Sequence, residues 1–113
     1  MSKRSTNLLL NDILTCAENI LEYTDNITFE NFANDKKTID AVLRNFEIIG
    51  EASIKLTEDI KEKYSSIDWY RLKGFRNRIA HEYFGIDLTV VWTIKESYLP
   101  SLIVKINQLL SEI

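Results

Sequence analysis

The chain has 113 residues, with 45 % hydrophobic side chains, one cysteine (Cys16), one histidine (His81) and a formal net charge of −3. This is the size of one domain that can bury its own core. A disulfide within the chain and a four-ligand Cys/His zinc site are excluded, and the acidity argues against general coating of nucleic acid.

One domain over residues 1–113 is expected. An unpaired cysteine fits a reducing, cytoplasmic setting. The start Met1-Ser2-Lys3-Arg4, then Leu8-Leu9-Leu10, has the outline of a secretory leader. Asn11 and Asp12 interrupt its apolar run and no small-residue cleavage site follows, so none is expected. No apolar run approaches the roughly 20 residues a membrane helix needs.

Glycine occurs three times and proline once, so helical periodicity rather than strands with tight turns is expected. Leu10, Ile13, Leu14, Ala17 and Leu21 mark one face of a first helix, with Ser5, Thr6 and Asn7 as candidate N-caps. Thr24 to Ala33 reads as a connection with room for one short helical turn. A second helix begins near Asp35, and Ile39, Val42, Phe46, Ile49, Ser53 and Leu56 follow the spacing of a bundle seam. Gly50 sits inside it, where glycine costs about 1 kcal/mol against alanine, which points to close approach by another backbone.

Thr57 reads as the cap of a short helix through Tyr64, ended by Ser65-Ser66. A third helix runs from about Asp68, its N-cap, to Tyr83, with Leu72, Phe75 and Ile79 facing the core. Gly85 is placed for a left-handed C-cap and Asp87 for the cap of the last helix. Leu88, Val91, Tyr98, Leu102, Ile106 and Leu109 form that helix's stripe, and Pro100 predicts a kink in it. The sum is an all-α fold, most simply an antiparallel four-helix bundle with a short extra helix.

Charge is uneven. Residues 68–83 carry Arg71, Lys73, Arg76 and Arg78 against Asp68 and Glu82. A local basic stripe on an acidic chain fits one focused anionic ligand, or simply a solvated helix face. Within it, Arg76, Asn77, Arg78, His81 and Tyr83 suit metal-free phosphoryl chemistry on RNA. A histidine can take the proton of a ribose 2′-hydroxyl. That oxygen then attacks its neighbouring phosphate to give a cyclic end, while arginine holds the non-bridging oxygens. Asn77 can orient either the histidine or the phosphate.

The ordinary alternatives stand beside this reading: a helix-end histidine as cap or packed side chain, a salt-bridged arginine, and a core tyrosine with a wet hydroxyl. At about 100° per residue, Asn77 and His81 share a face, whereas Arg76 and His81 diverge by about 140°. A bend, a long reach by the arginine, or a second copy of the helix would reconcile the pair. That divergence and Gly50 together lead to the expectation of a two-fold homodimer with an isologous interface.

Arg76-Asn77-x-x-x-His81 resembles the arginine-to-histidine signature of the HEPN superfamily. Gly74-Phe75-Arg76-Asn77-Arg78-Ile79-Ala80-His81-Glu82-Tyr83-Phe84-Gly85-Ile86-Asp87, with Val91-Trp92 and Leu99-Pro100, is similar to its HepT-like branch. So are Ile48-Ile49-Gly50-Glu51-Ala52 and Asp68-Trp69; Ser65-Ser66, where relatives often carry proline, is a looser point. The resemblance implies a four-helix-bundle ribonuclease toxin that forms homodimers and pairs with a minimal nucleotidyltransferase antitoxin; from the residues themselves, no cofactor or metal is expected. Carried over, Arg76 and His81 are catalytic, Asn77 supports them, and Tyr83 is the tyrosine to which the antitoxin transfers AMP. Glu51 and Arg78 are further supporting candidates. The alternative is a non-catalytic helical subunit that docks a nucleotidyltransferase and helps bind its substrate.

Overall fold

The computed structural model describes residues 3–113, the side chain of Lys3 excepted. Its helices are α1 (Lys3–Tyr23), α2 (Phe29–Ala33), α3 (Lys36–Lys55), α4 (Glu58–Lys63), α5 (Trp69–Glu82), α6 (Leu88–Ser97) and α7 (Leu99–Glu112), with a 3-10 turn over Tyr83–Gly85. The all-α expectation holds: among the described residues there is no strand. α1, α3, α5 and the α6–α7 pair make the four long elements of a helical bundle, and α2 and α4 are short additions.

Caps fix most of the helix starts. Thr28 accepts the Asn31 amide, Asp35 the Thr38 amide, Asp68 the Arg71 amide and Asp87 the Thr89 amide. Each such cap stabilises its helix by about 1 kcal/mol. Thr57 precedes α4 without a side-chain cap bond.

Four expectations change. Ser5, Thr6 and Asn7 lie inside α1, which is already helical at Lys3, so they do not cap it. The stripe that α1 buries is Leu10, Ile13, Cys16, Ala17 and Ile20; Leu14 and Leu21 lie at its margin, only half-buried. Gly85 does not close α5 in a left-handed conformation; no glycine has positive φ, and the chain leaves α5 through the 3-10 turn. The last helix is divided rather than merely kinked. Pro100 lacks an N–H and would crowd the carbonyl of Glu96 in a continuous helix, so the chain breaks at Tyr98 and Pro100 enters the first turn of α7, where proline fits.

α1 packs on α3 and α7, α3 on α5, and α6 on α7 and α2. Three pairs along the α3–α5 seam show that these helices run antiparallel: Asp40 meets Tyr83, Phe46 meets Phe75 edge-to-face at 5.0 Å, and Gly50 meets Arg76. A Cβ on Gly50 would overlap the Arg76 Cβ, with the Arg76 Cγ at 2.8 Å and the Leu72 carbonyl oxygen at 3.0 Å. The close approach expected at Gly50 is therefore made by this chain's own α5, and Gly50 no longer argues for a second copy.

Elsewhere the core is mainly apolar, although Thr6, Thr24, Asn45, Ser53 and Lys95 are also buried. Asn19 of α1 donates to Asn45 of α3 at 3.2 Å, and Asn45 donates to the Ala41 carbonyl at 2.8 Å. Cys16 is buried, and burial, aided by Asp12 and opposed by Arg44, raises its thiol pKa. The Ser65-Ser66 link is tied to α7 by Lys105, whose ammonium donates to the Ser66 carbonyl at 2.8 Å. Among the described residues, no helix is long and apolar enough to cross a membrane.

Candidate functional site

α5 carries the basic segment because one side of it, Trp69, Leu72 and Ile79, is buried while Arg71, Lys73 and Arg78 stay in solvent. Arg76 lies between the two. Its stem rests on Gly50, and its head is half-buried. The guanidinium Nη1 donates to Asn77 Oδ1 at 3.0 Å, and the buried Nε has no hydrogen-bond partner. Among the described residues Arg76 forms no ion pair. A half-buried guanidinium without an ion-pair partner among the described residues is suited to an anion arriving from outside.

Glu51 lines a cavity of about 240 Å³ with Ile54, Lys55 and Arg76. Its carboxylate is turned to Arg44, at 3.9 Å, rather than to Arg76. Arg78 is occupied locally, its Nε 3.3 Å from Glu82 one turn on. Glu51 thus borders the arginine, and Arg78 does not reach it by any bond.

His81 lies exposed in the last turn of α5. No hydrogen bond joins it to Arg76 or Asn77. Asn77 directs its carbonyl oxygen to the arginine, so within one chain it orients the guanidinium rather than the imidazole. The helical divergence between Arg76 and His81 is retained, because α5 continues unbroken through both.

Tyr83 opens the 3-10 turn, its ring edge-on to Phe84 at 5.2 Å. Its hydroxyl donates to Asp40 Oδ1 of α3 at 2.8 Å. Burial, the bond to the Asp40 carboxylate, and the negative charges of Asp40 and Glu47 push the Tyr83 pKa up to about 12. Lys36 sits 3.7 Å from Asp40. A cavity of about 170 Å³ opens here, with Lys36, Asp40, Tyr83 and Phe84 on its wall. Phe84 is 92 % exposed, an unusual position for a phenylalanine that the fold does not require.

Asp40 is the residue that sequence reasoning missed. It lies 43 positions from Tyr83, so no local spacing links them. In the sequence it stands close to Lys36 and Lys37, with no motif to single it out. Only the antiparallel pairing of α3 with α5 exposes the contact.

A family model described as Ribonuclease HepT-like matches residues 13–109. The chain is 44 % identical over 108 residues to "Probable ribonuclease HepT" of Thermococcus cleftensis, covering 95 % of this chain and 97 % of that one. It is 40 % identical over 102 residues to "Putative RNase MJ1380" of Methanocaldococcus jannaschii, covering 90 % and 94 % respectively. No solved structure matches the chain.

Proposed function

From the premise that this chain belongs to the HepT-like ribonuclease family, we propose that it is a metal-independent RNA endonuclease toxin, held in check by a nucleotidyltransferase antitoxin. The observation that carries the reading is Arg76: a half-buried guanidinium, oriented by Asn77 and without an ion pair among the described residues, five residues before an exposed histidine.

In the reaction, His81 takes the 2′-hydroxyl proton of a ribose. The freed oxygen attacks the adjacent phosphorus, the 5′-oxygen of the next nucleotide leaves, and a 2′,3′-cyclic phosphate remains. Arg76 holds the non-bridging oxygens as charge gathers on them. Neither task needs a metal ion. Because Arg76 and His81 diverge around one helix, the reading includes a symmetric homodimer in which the two α5 helices face one cleft. The antitoxin transfers AMP to Tyr83, and the added phosphate attracts Arg76 and repels RNA.

The test is cleavage of total RNA in EDTA with analysis of product ends. His81→Ala and Arg76→Ala should each lower cleavage by about 100-fold or more while circular dichroism stays that of the parent. Growth inhibition should be lost with them, and light scattering should give a dimer mass. A strict metal requirement or full activity of His81→Ala would overturn the mechanism. An inactive wild type that still binds a nucleotidyltransferase would favour the docking-subunit alternative.

A further inference from the structure

Any transfer of a nucleotidyl group to Tyr83 must remove the phenolic proton. Three observations bear on how. The hydroxyl already donates to Asp40 Oδ1 at 2.8 Å. The cavity beside it is open enough for a phosphate to approach, and Lys36 stands on its wall. The Asp40–Lys36 pair is a solvent-facing one at 3.7 Å, loose enough for the ammonium to turn toward another anion. The raised Tyr83 pKa adds that a preformed phenolate is scarce at neutral pH, so the proton must leave during the transfer itself.

We propose that Asp40 is the general base for modification of Tyr83, with Lys36 beside it to meet the incoming phosphate; this rests on the reading of Tyr83 as the modified residue. In the step, Tyr83 Oη forms a bond to the α-phosphorus of a nucleoside triphosphate held by the partner enzyme. The bond from that phosphorus to the bridging oxygen breaks, and pyrophosphate leaves with the electron pair. The phenolic proton passes to Asp40 and from there to water. The target chain thus supplies part of the machinery that silences it, and only a tyrosine paired with a carboxylate is a competent acceptor. Tyr23 and Tyr70 are exposed, yet neither has such a pairing among the described residues.

A structural tether would give the same static picture, and Asp40→Asn separates the two. The amide oxygen still accepts the Tyr83 hydrogen bond but cannot hold the proton. With the cognate nucleotidyltransferase, ATP and Mg²⁺, intact-mass spectrometry should show one AMP on Tyr83 of the wild type, and a rate at least about 100-fold lower for Asp40→Asn. RNA cleavage by unmodified Asp40→Asn should match the wild type. Raising the pH from neutrality should lift the Asp40→Asn rate relative to wild type, because hydroxide then replaces the missing base. The charged groups around the phenol, Asp40, Lys36 and Glu47, all lie on α3 and are otherwise unchanged. Modification of Asp40→Asn at the wild-type rate, or a lowered rate with no such pH rescue, overturns the base and leaves Tyr83 as acceptor. Absence of any adduct on wild-type Tyr83 overturns both.

Discussion

The seam between α3 and α5 is closed in two different ways along its length. Beside Arg76 the helices meet through Gly50, and the contact is steric, with the arginine stem filling the space a side chain would take. Beside Tyr83, nearer the N-terminus of α3, they are joined by one hydrogen bond at the edge of a cavity. The first contact fixes the arginine stem by exclusion, while its guanidinium borders an open cavity. The second holds a hydroxyl by a bond that exchanges readily with water or an incoming group. A clamp and a modifiable nucleophile make opposite demands on their surroundings, and one helix pair meets both.

The strongest way to break this contrast is Gly50→Ala. The new Cβ would collide with Arg76 Cβ and press on the Leu72 backbone carbonyl, and neither is the free end of a flexible chain. Overpacking of this kind costs about 1–3 kcal/mol, offset by about 1 kcal/mol from the better helix propensity of alanine. We expect a net loss of stability in urea denaturation and a larger loss of RNA cleavage, since Arg76 must move. An unchanged melting curve would show that the seam is not closed by sterics.

Tyr83→Phe probes the other end. It removes one part-buried hydrogen bond, so stability should fall by about 1 kcal/mol with RNA cleavage retained. The same variant should remove the tyrosine that titrates near pH 12 in ultraviolet difference spectra. Because the folded pKa lies above the ordinary tyrosine value of about 10, the contribution of the neutral phenol is intact below about pH 10 and is lost as pH rises through about 12. Wild-type stability should therefore fall more steeply over that window than that of Tyr83→Phe. Equal slopes would mean that burial and the bond to Asp40 do not raise the pKa of this hydroxyl.

The smallest effect belongs to Lys36→Ala. Its pair with Asp40 joins side chains that are 77 % and 46 % exposed, and such pairs contribute only about 0–1 kcal/mol. Thermal melts should barely separate it from the parent. A large shift would place Lys36 in the structural tether rather than beside it.

Much of this architecture was legible in the sequence. Asp35, Asp68 and Asp87 announced their helices because an aspartate cap acts on its own next turn, and Phe46, Ile49, Leu72 and Ile79 fell into the core by spacing alone. What stayed hidden depends on distance or competition. Gly85 looked like a left-handed cap because glycine permits one, yet the Tyr83–Asp40 contact accompanies a 3-10 exit from α5 instead. Pro100 marked a disturbance without revealing that two helices would result. At the site, Arg76, Asn77, His81 and Tyr83 were visible as a motif. The occupant of Gly50's free space and the partner of Tyr83 were not, since both lie on a helix far away in the chain.

Cys16 has a practical consequence. It is the sequence's sole thiol, and it is shut in the core in its less reactive, protonated form. A thiol-directed reagent reaches it only when α1 lifts away from its neighbours. The rate of alkylation therefore counts openings of the native protein, so that breathing of the bundle can be timed, with and without RNA or a bound partner, on the unaltered chain.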